Sequence, residues 1–355
     1  MKWLLNCWYV AAWADELGSG GRLARTFLDM PVLLWRTDAG RVHALEDRCA
    51  HRFAPLSRGK IEGGGVTCGY HGLAFDGTTG RCIHNPHGPV VSSLLVRAYP
   101  VAERHKLLWI WMGDPAKADD RTIPDLSFID ACGVHAFSKG YMQAKADHHL
   151  LEDNILDLTH GDYLHADTLG GGSFTRTRAD VEERGDKVFV QWVAKNETPF
   201  PIFKPQLPNP DMLVDMTTDV LWHPSGVMLL NSWIAPAGEP PERAITSANA
   251  HIMTPETKVS THYFYCNSRS FRTDDADYNE AFAANLGVAF QTEDKPMIED
   301  QQRRVSDVDL MDLRPALLPI DIAAVRARRI YRRLVDAESI GLTPASHPLE
   351  RPSAT

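Results

Sequence analysis

The chain has 355 residues, a formal charge of −9, 44% hydrophobic residues and 23% charged ones. That is the balance of a soluble globular protein too long for one ordinary core, so two domains are expected. An acidic balance with no basic stripe excludes nucleic acid as the partner. No apolar run reaches the eighteen or so residues of a membrane span, so the membrane is excluded too.

The opening apolar stretch, Trp3 to Ala14, carries three Trp and a Tyr and lacks a small-residue cleavage site, which predicts a core strand rather than a leader. Six cysteines (Cys7, Cys49, Cys68, Cys82, Cys132, Cys266) show no framework spacing, and reduced thiols in a cytoplasmic protein follow. Residues 31 to 47 hold two apolar runs joined at Asp38-Ala39-Gly40, a hairpin signal.

Next come Cys49-x-His51 and, after sixteen residues, Cys68-x-x-His71. A [2Fe-2S] centre of Rieske type needs that set, two thiolates holding one iron and two histidines the other. A structural Cys2His2 zinc site uses the same ligand types, but zinc motifs usually pair Cys with Cys and His with His along the chain. One ligand of each kind per loop favours the cluster. Gly69 and Gly72 flank the second pair, where loop amides must approach sulfide. A turn at Asp76 to Gly80 and a return through Arg81 to Ile83 follow. The segment His84-Asn85-Pro86-His87-Gly88-Pro89 reads as a loop covering the cluster. Leu107 to Gly113 is a buried strand that closes a small all-β, sandwich-like domain, residues 1–115. This domain carries thirteen Lys/Arg against ten Asp/Glu, a mildly basic balance suited to an acidic electron donor.

Asp114 to Pro124 is polar and Pro-bounded, a linker. The second domain, residues 116–341, offers strands at Lys187 to Ala194, Asp219 to Trp222, Val227 to Ile234, Ser247 to Thr254 and Ser260 to Cys266. Its helical stretches are Asp147 to Leu164, Ala276 to Arg304 and a basic amphipathic run, Ile320 to Ala337. Residues 342–355 read as a loosely ordered tail.

Acid and imidazole groups concentrate between Asp153 and His165. Asp157 and His160 share a helix face. His160 and His165 do not, being roughly 140° apart on a regular helix, so both reach one ion only if the helix breaks, with Gly161 the expected place. Two histidines and one carboxylate form the facial triad of oxygen-activating non-haem Fe(II). Glu293, Asp294, Glu299 and Asp300 are each available as the acid. Asn231, His251 and Arg269, polar residues in apolar strands, are candidates for binding a substrate carboxylate or phenol.

These motifs, with Asn6 to Ala11, Ala54-Pro55-Leu56-Ser57, Trp109-Ile110-Trp111, Asp153-Asn154 and Thr254-Pro255-Glu256, give a chain that resembles the oxygenase component of Rieske non-haem iron oxygenases, in the aromatic O-demethylase branch. The resemblance extends to about Arg329; Ala50 and Gly69 stand where relatives often have Pro. It implies an α+β protein with a helix-grip second domain. It implies Cys49, His51, Cys68 and His71 as cluster ligands, and His160, His165 and Asp294 as ligands of a mononuclear iron. Asp157 would orient His160 and, across the interface of a head-to-tail homotrimer, accept from His71. NADH-derived electrons would arrive through a ferredoxin or flavoprotein reductase, O2 would be the co-substrate, and the substrate would be an aromatic methyl ether such as a methoxybenzoate. The chain has no dinucleotide motif of its own.

Overall fold

The computed structural model describes residues 3–166 and 169–341; the tail expected at 342–355 lies outside them. In the first 111 residues, short strands bounded by turn residues build three small antiparallel sheets. β1 (Trp8–Trp13), β9 (Val101–Arg104) and β10 (Leu107–Trp111) form one, in the order β1-β10-β9. β2 (Arg22–Phe27), β3 (Met30–Arg36) and β4 (Val42–Glu46) form a second. The expected hairpin joins β3 to β4, with Gly40 at φ +85° supplying the left-handed residue of the turn. β5 (Lys60–Glu62), β6 (Gly65–Thr67), β7 (Ala74–Asp76) and β8 (Cys82–His84) form the third sheet, whose buried face packs Val66, Phe75 and Cys82 around Cys49 and Cys68.

Between Phe137 and Arg269 seven longer strands form a single antiparallel sheet. They are β11 (Phe137–Ala144), β12 (Asp180–Arg184), β13 (Lys187–Glu197), β14 (Val214–His223), β15 (Val227–Pro236), β16 (Ile245–Thr257) and β17 (Ser260–Arg269), ordered β11-β17-β16-β15-β14-β13-β12. Alternation sets the faces. Val188, Val190, Trp192 and Met216 point into a core with the helices, while Val227, Ala250, Ile252 and Phe264 point the other way, against Trp8, Trp13 and Trp109 of the front sheets.

The two halves are thus packed through one shared apolar layer. Polar ties reinforce it: Thr254 donates to the Val10 carbonyl at 2.8 Å, and the Leu28 and Asp29 amides donate to Pro255 and Glu256 carbonyls at 3.0 and 2.9 Å. The start of the chain lies on the second half, where the Leu5 and Asn6 amides donate to Glu338 at 2.8 Å each.

The described residues form seven α-helices: α1 (Phe128–Ala131), α2 (His148–Leu156), α3 (Gly161–Leu164), α4 (Ser173–Arg176), α5 (Ala276–Val288), α6 (Lys295–Val305) and α7 (Ile322–Gly341). β11 was not visible in the sequence because Gly140 interrupts its pattern. That glycine is required by close approach, since a Cβ there would meet the Tyr265 ring 2.2 Å away. The single helix expected from Asp147 to Leu164 is two, and the break is at Asp157, not at Gly161. Asp157 is extended (φ −128°, ψ 94°) and Gly161 is helical (φ −59°, ψ −34°). The Asp157 carboxylate accepts from the Thr159 amide at 3.0 Å, capping a new 3-10 turn over Leu158–His160. The run from Ala276 to Val305 is continuous but widens into a π-helical turn over Ala289–Asp294, just before Pro296. Proline cannot donate to the preceding turn and its ring crowds the carbonyl behind it, so the wider turn relieves both problems.

Candidate active site

The two cluster loops have the same backbone plan. In the first, the Cys49 amide donates to the Ala54 carbonyl and the Phe53 amide to the Cys49 carbonyl, both at 2.9 Å. In the second, the Cys68 amide donates to Leu73 at 2.8 Å and the Gly72 amide to Cys68 at 3.0 Å. The fifth residue of each loop is left-handed, Phe53 at φ +55° and Gly72 at φ +75°. Gly69 answers a different need, because a Cβ on it would lie 2.9 Å from the Arg58 carbonyl of the neighbouring loop.

This plan sorts like ligands together. Cys49 and Cys68 are both buried against Leu33, Leu56 and Phe75, while the His51 and His71 rings face each other 4.6 Å apart at the surface. Burial, and after it the neighbouring Cys68 thiol, push the Cys49 thiol up to about 11 despite the lowering amides of His51 and Arg52, so metal must take the place of a proton there. A thiol pair inside and an imidazole pair outside is the donor arrangement a [2Fe-2S] cluster with chemically distinct irons requires. The covering loop is where the sequence placed it: His87 Nε2 lies 2.9 Å from the His71 carbonyl.

In the second half, His160, His165 and Asp294 bring one donor atom each within 4.8 Å of one another. Asp294 Oδ1 lies 3.0 Å from His165 Nε2 and 3.5 Å from His160 Nε2. The opposite ring nitrogens are held from behind: His160 Nδ1 by the Asp157 carbonyl at 2.5 Å, His165 Nδ1 by Glu293 Oε2 at 2.7 Å. Such outer partners fix the tautomer that leaves Nε2 free for metal. Burial alone would lower the His165 pKa, but Asp294 and then Glu293 outweigh it and raise it. Asn154 donates to Asp294 Oδ1 at 3.1 Å.

Of the four acids open on sequence, the π-helical turn points Asp294 inward, where it is buried. Glu293 backs His165, Glu299 accepts from the Lys145 amide at 2.9 Å, and Asp300 pairs with Arg303. The donor set fits an oxygen-activating iron: two neutral imidazoles and one carboxylate on converging elements, with room left on the cavity side. One expectation is corrected. His160 is oriented by the backbone carbonyl of Asp157, while Oδ1 of its carboxylate accepts from the Thr159 amide and, at 2.7 Å, its hydroxyl.

These three side chains end a cavity, partly open to solvent, walled by Leu158, Phe174, Phe200, Ile202, Phe282 and Phe290 among others. Across the floor of the sheet runs a polar row: Thr218, Ser232, Ser247, Asn249 and Asn267. Asn267 donates to Ser247 Oγ and Asn249 Oδ1 at 2.7 Å each, leaving its own buried Oδ1 without a hydrogen bond. His251 lines the same cavity, with Nδ1 2.7 Å from Tyr263 Oη. Its burial lowers the pKa to about 4, so the ring is neutral at pH 7.

Two other substrate candidates are elsewhere. Asn231 alternates with the cavity-facing Leu230 and Ser232 and donates instead to Asp219 Oδ1 at 3.1 Å. Arg269 is tied to Asn279 Oδ1 at 2.6 Å and to the His135 carbonyl. The polar row was missed, although its members sit at alternate strand positions, Ser247 with Asn249 in β16.

Comparison with known proteins agrees. Family models match residues 7–100 as a Rieske [2Fe-2S] domain and residues 144–337 as a vanillate O-demethylase oxygenase C-terminal domain. The chain belongs to the Rieske non-haem iron oxygenases. It is 40% identical to the oxygenase component of dicamba O-demethylase from Stenotrophomonas maltophilia over 96% of this chain and 100% of that one. It is 37% identical to the oxygenase component of chloroacetanilide N-alkylformylase from Rhizorhabdus wittichii, over 94% and 96%. The crystal structure of dicamba monooxygenase with non-haem iron and dicamba superposes with a TM-score of 0.81 at 38% identity, covering 96% of this chain and 100% of that chain. The protein is therefore an oxidoreductase, the oxygenase component of a Rieske-type monooxygenase. No helix among the described residues is long and apolar enough to cross a membrane.

Replacing Asp294 with Ala is expected to remove the mononuclear iron while leaving the cluster absorption intact, measured as a fall from about three irons per chain to about two. His251 adds a pH test. With a folded pKa of about 4 against about 6.5 unfolded, the unfolded state binds more protons between those values. His251 thus contributes stability fully present above pH 6.5 and lost as pH falls towards 4, on the order of 3 kcal/mol. Denaturant unfolding of His251→Asn across that window should show a flatter pH dependence than the unsubstituted protein.

Proposed function

We propose that the protein O-demethylates an aromatic methyl ether carrying a polar ring substituent, a methoxybenzoate of the vanillate kind. The observation that carries this reading is the cavity itself: aromatic and aliphatic walls that end on His160, His165 and Asp294, with neutral polar groups to one side and no Lys or Arg among the described lining residues. An arene fits the walls, and its polar substituent meets the neutral His251 ring and the amides of Asn249 and Asn267. The unpartnered Asn267 Oδ1 suits a donor such as a phenol O–H.

The iron held by His160, His165 and Asp294 supplies O2 activation when bound. The chain's own residues do the rest. Phe200, Phe282 and Phe290 exclude water and hold the ring flat, so that the methoxy carbon is directed at the metal end. One oxygen atom enters a methyl C–H bond, and the resulting hemiacetal breaks to a phenol and formaldehyde. The other oxygen leaves as water, with two electrons and two protons consumed.

Electrons originating in NADH would come through a flavoprotein reductase, directly or through a ferredoxin, to the cluster domain, taken as residues 1–115. They would then pass to the catalytic domain, residues 116–341, of an adjoining copy in a head-to-tail homotrimer, in the cytoplasm. Asp157 supports this route. It is half-buried, its carboxylate accepts from Thr159 through Oδ1, and Oδ2 takes no hydrogen bond among the described residues. Oδ2 is left to accept from a partner's imidazole.

Incubating the protein and its reductase with NADH and vanillate should release formaldehyde in step with phenol product. A ring cis-diol, or amine dealkylation in its place, would move the assignment to another branch. Asp157→Asn should keep trimer, cluster and iron while turnover falls by about 10- to 100-fold; rapid-mixing kinetics should place the loss in the electron transfer between cluster and iron.

A further inference from the structure

Helix α2 carries a second, unassigned group of metal-binding side chains at its start. His148, His149 and Glu152 each offer a donor atom within 4.8 Å of the other two, and all three are buried. The spacing is helical: Glu152 lies four residues after His148 and three after His149, which places it next to both. His149 Nδ1 is 3.0 Å from Glu152 Oε2. The remaining polar atoms are poorly served. Glu152 Oε1 and His148 Nε2 have no hydrogen-bond partner, and His148 Nδ1 lies 3.2 Å from Asp147 Oδ1 but off the line of a hydrogen bond.

Burying two imidazoles and a carboxylate with unmet polar atoms is costly unless something compensates them. The surroundings offer aromatic faces rather than donors. Tyr331 of α7 packs edge-on to His149 at 4.7 Å and to His148 at 5.5 Å, and its hydroxyl is taken by the Leu4 amide at 3.2 Å. The nearby Arg328 guanidinium is committed to Asp153 at 2.6 Å and Asp309 at 3.3 Å. A groove reaches His149 from solvent, lined by Asp307, Asp309, Asp312 and Asp336 together with Lys258, Arg328 and Arg332. With Arg328 neutralised, acids dominate this entrance and favour a cation.

We infer that His148, His149 and Glu152 bind a divalent transition-metal ion, zinc by preference, at a structural site separate from the catalytic iron. Two imidazoles and a carboxylate suit zinc, and water entering from the groove would complete the shell. The ion would brace the first turn of α2, against which Tyr331 of α7 packs.

The test uses the full-length holoprotein with cluster and iron loaded. After equilibration with Zn2+ and removal of free metal, elemental analysis should find about one zinc per chain beyond the irons. Glu152→Gln should lose that zinc while cluster absorption and iron content persist. Crystals of the unsubstituted protein grown with Zn2+ and measured at the zinc edge should show an anomalous peak between the three side chains. Equal zinc in both proteins, or anomalous density confined to the His160, His165 and Asp294 site or to the surface, would overturn the inference and leave a buried hydrogen-bonded pair. Should the Gln variant not fold, the anomalous map decides.

Discussion

Convergence of His165 Nε2 and Asp294 Oδ1 to 3.0 Å, across 129 residues of chain, is the constraint on which the catalytic half depends. Two imidazoles and a carboxylate are held this close because each is gripped from outside. The Asp157 carbonyl holds one ring and Glu293 the other, while Asn154 holds the acid. The first grip uses a backbone carbonyl freed where a helix ends; the other two use side chains, from the π-helical turn and from the last turn of α2. The regular sheet contributes no ligand to this set.

Two departures from ideal helix geometry make the convergence possible. The stop at Asp157 turns the chain so that His160 and His165, which would diverge on one helix, come to a ring separation of 5.3 Å. The π-helical turn over Ala289–Asp294 rotates Asp294 inward from a run of charge whose other members stay at or near the surface. Both irregularities have local causes, a capping aspartate and a proline.

That explains what could be read from the sequence. The donor groups that the fold brings together were legible because few residue types bind iron and they cluster along the chain: Cys49 and Cys68, His51 and His71, and His160 and His165 all stood out as candidates. So did five of the seven strands of the large sheet, whose alternation is clear in β13; β11 and β12 were not among them. The position of the helix break was misplaced because glycine is the usual breaker, whereas here an Asp side chain competed for the backbone first. Asp294 could not be separated from its acidic neighbours without a family resemblance, since a π-helical turn shifts register in a way no periodicity records. β11 was hidden by Gly140, and the polar row of the cavity was lost because four consecutive strands contribute only one or two residues each, and the row forms only when they pair side by side.

The cavity's construction divides labour between elements. Irregular helix ends carry the His160, His165 and Asp294 donor group, and the inward-facing positions of an antiparallel ladder form the cavity floor. Since the groups on that floor, Thr218, Ser232, Ser247, Asn249 and Asn267, are small and uncharged, recognition there relies on shape and local dipoles rather than on long-range attraction. Such a surface can be retuned one side chain at a time while the oxidative centre is left untouched, which offers a physical route by which one scaffold could diversify its diet of aromatic compounds.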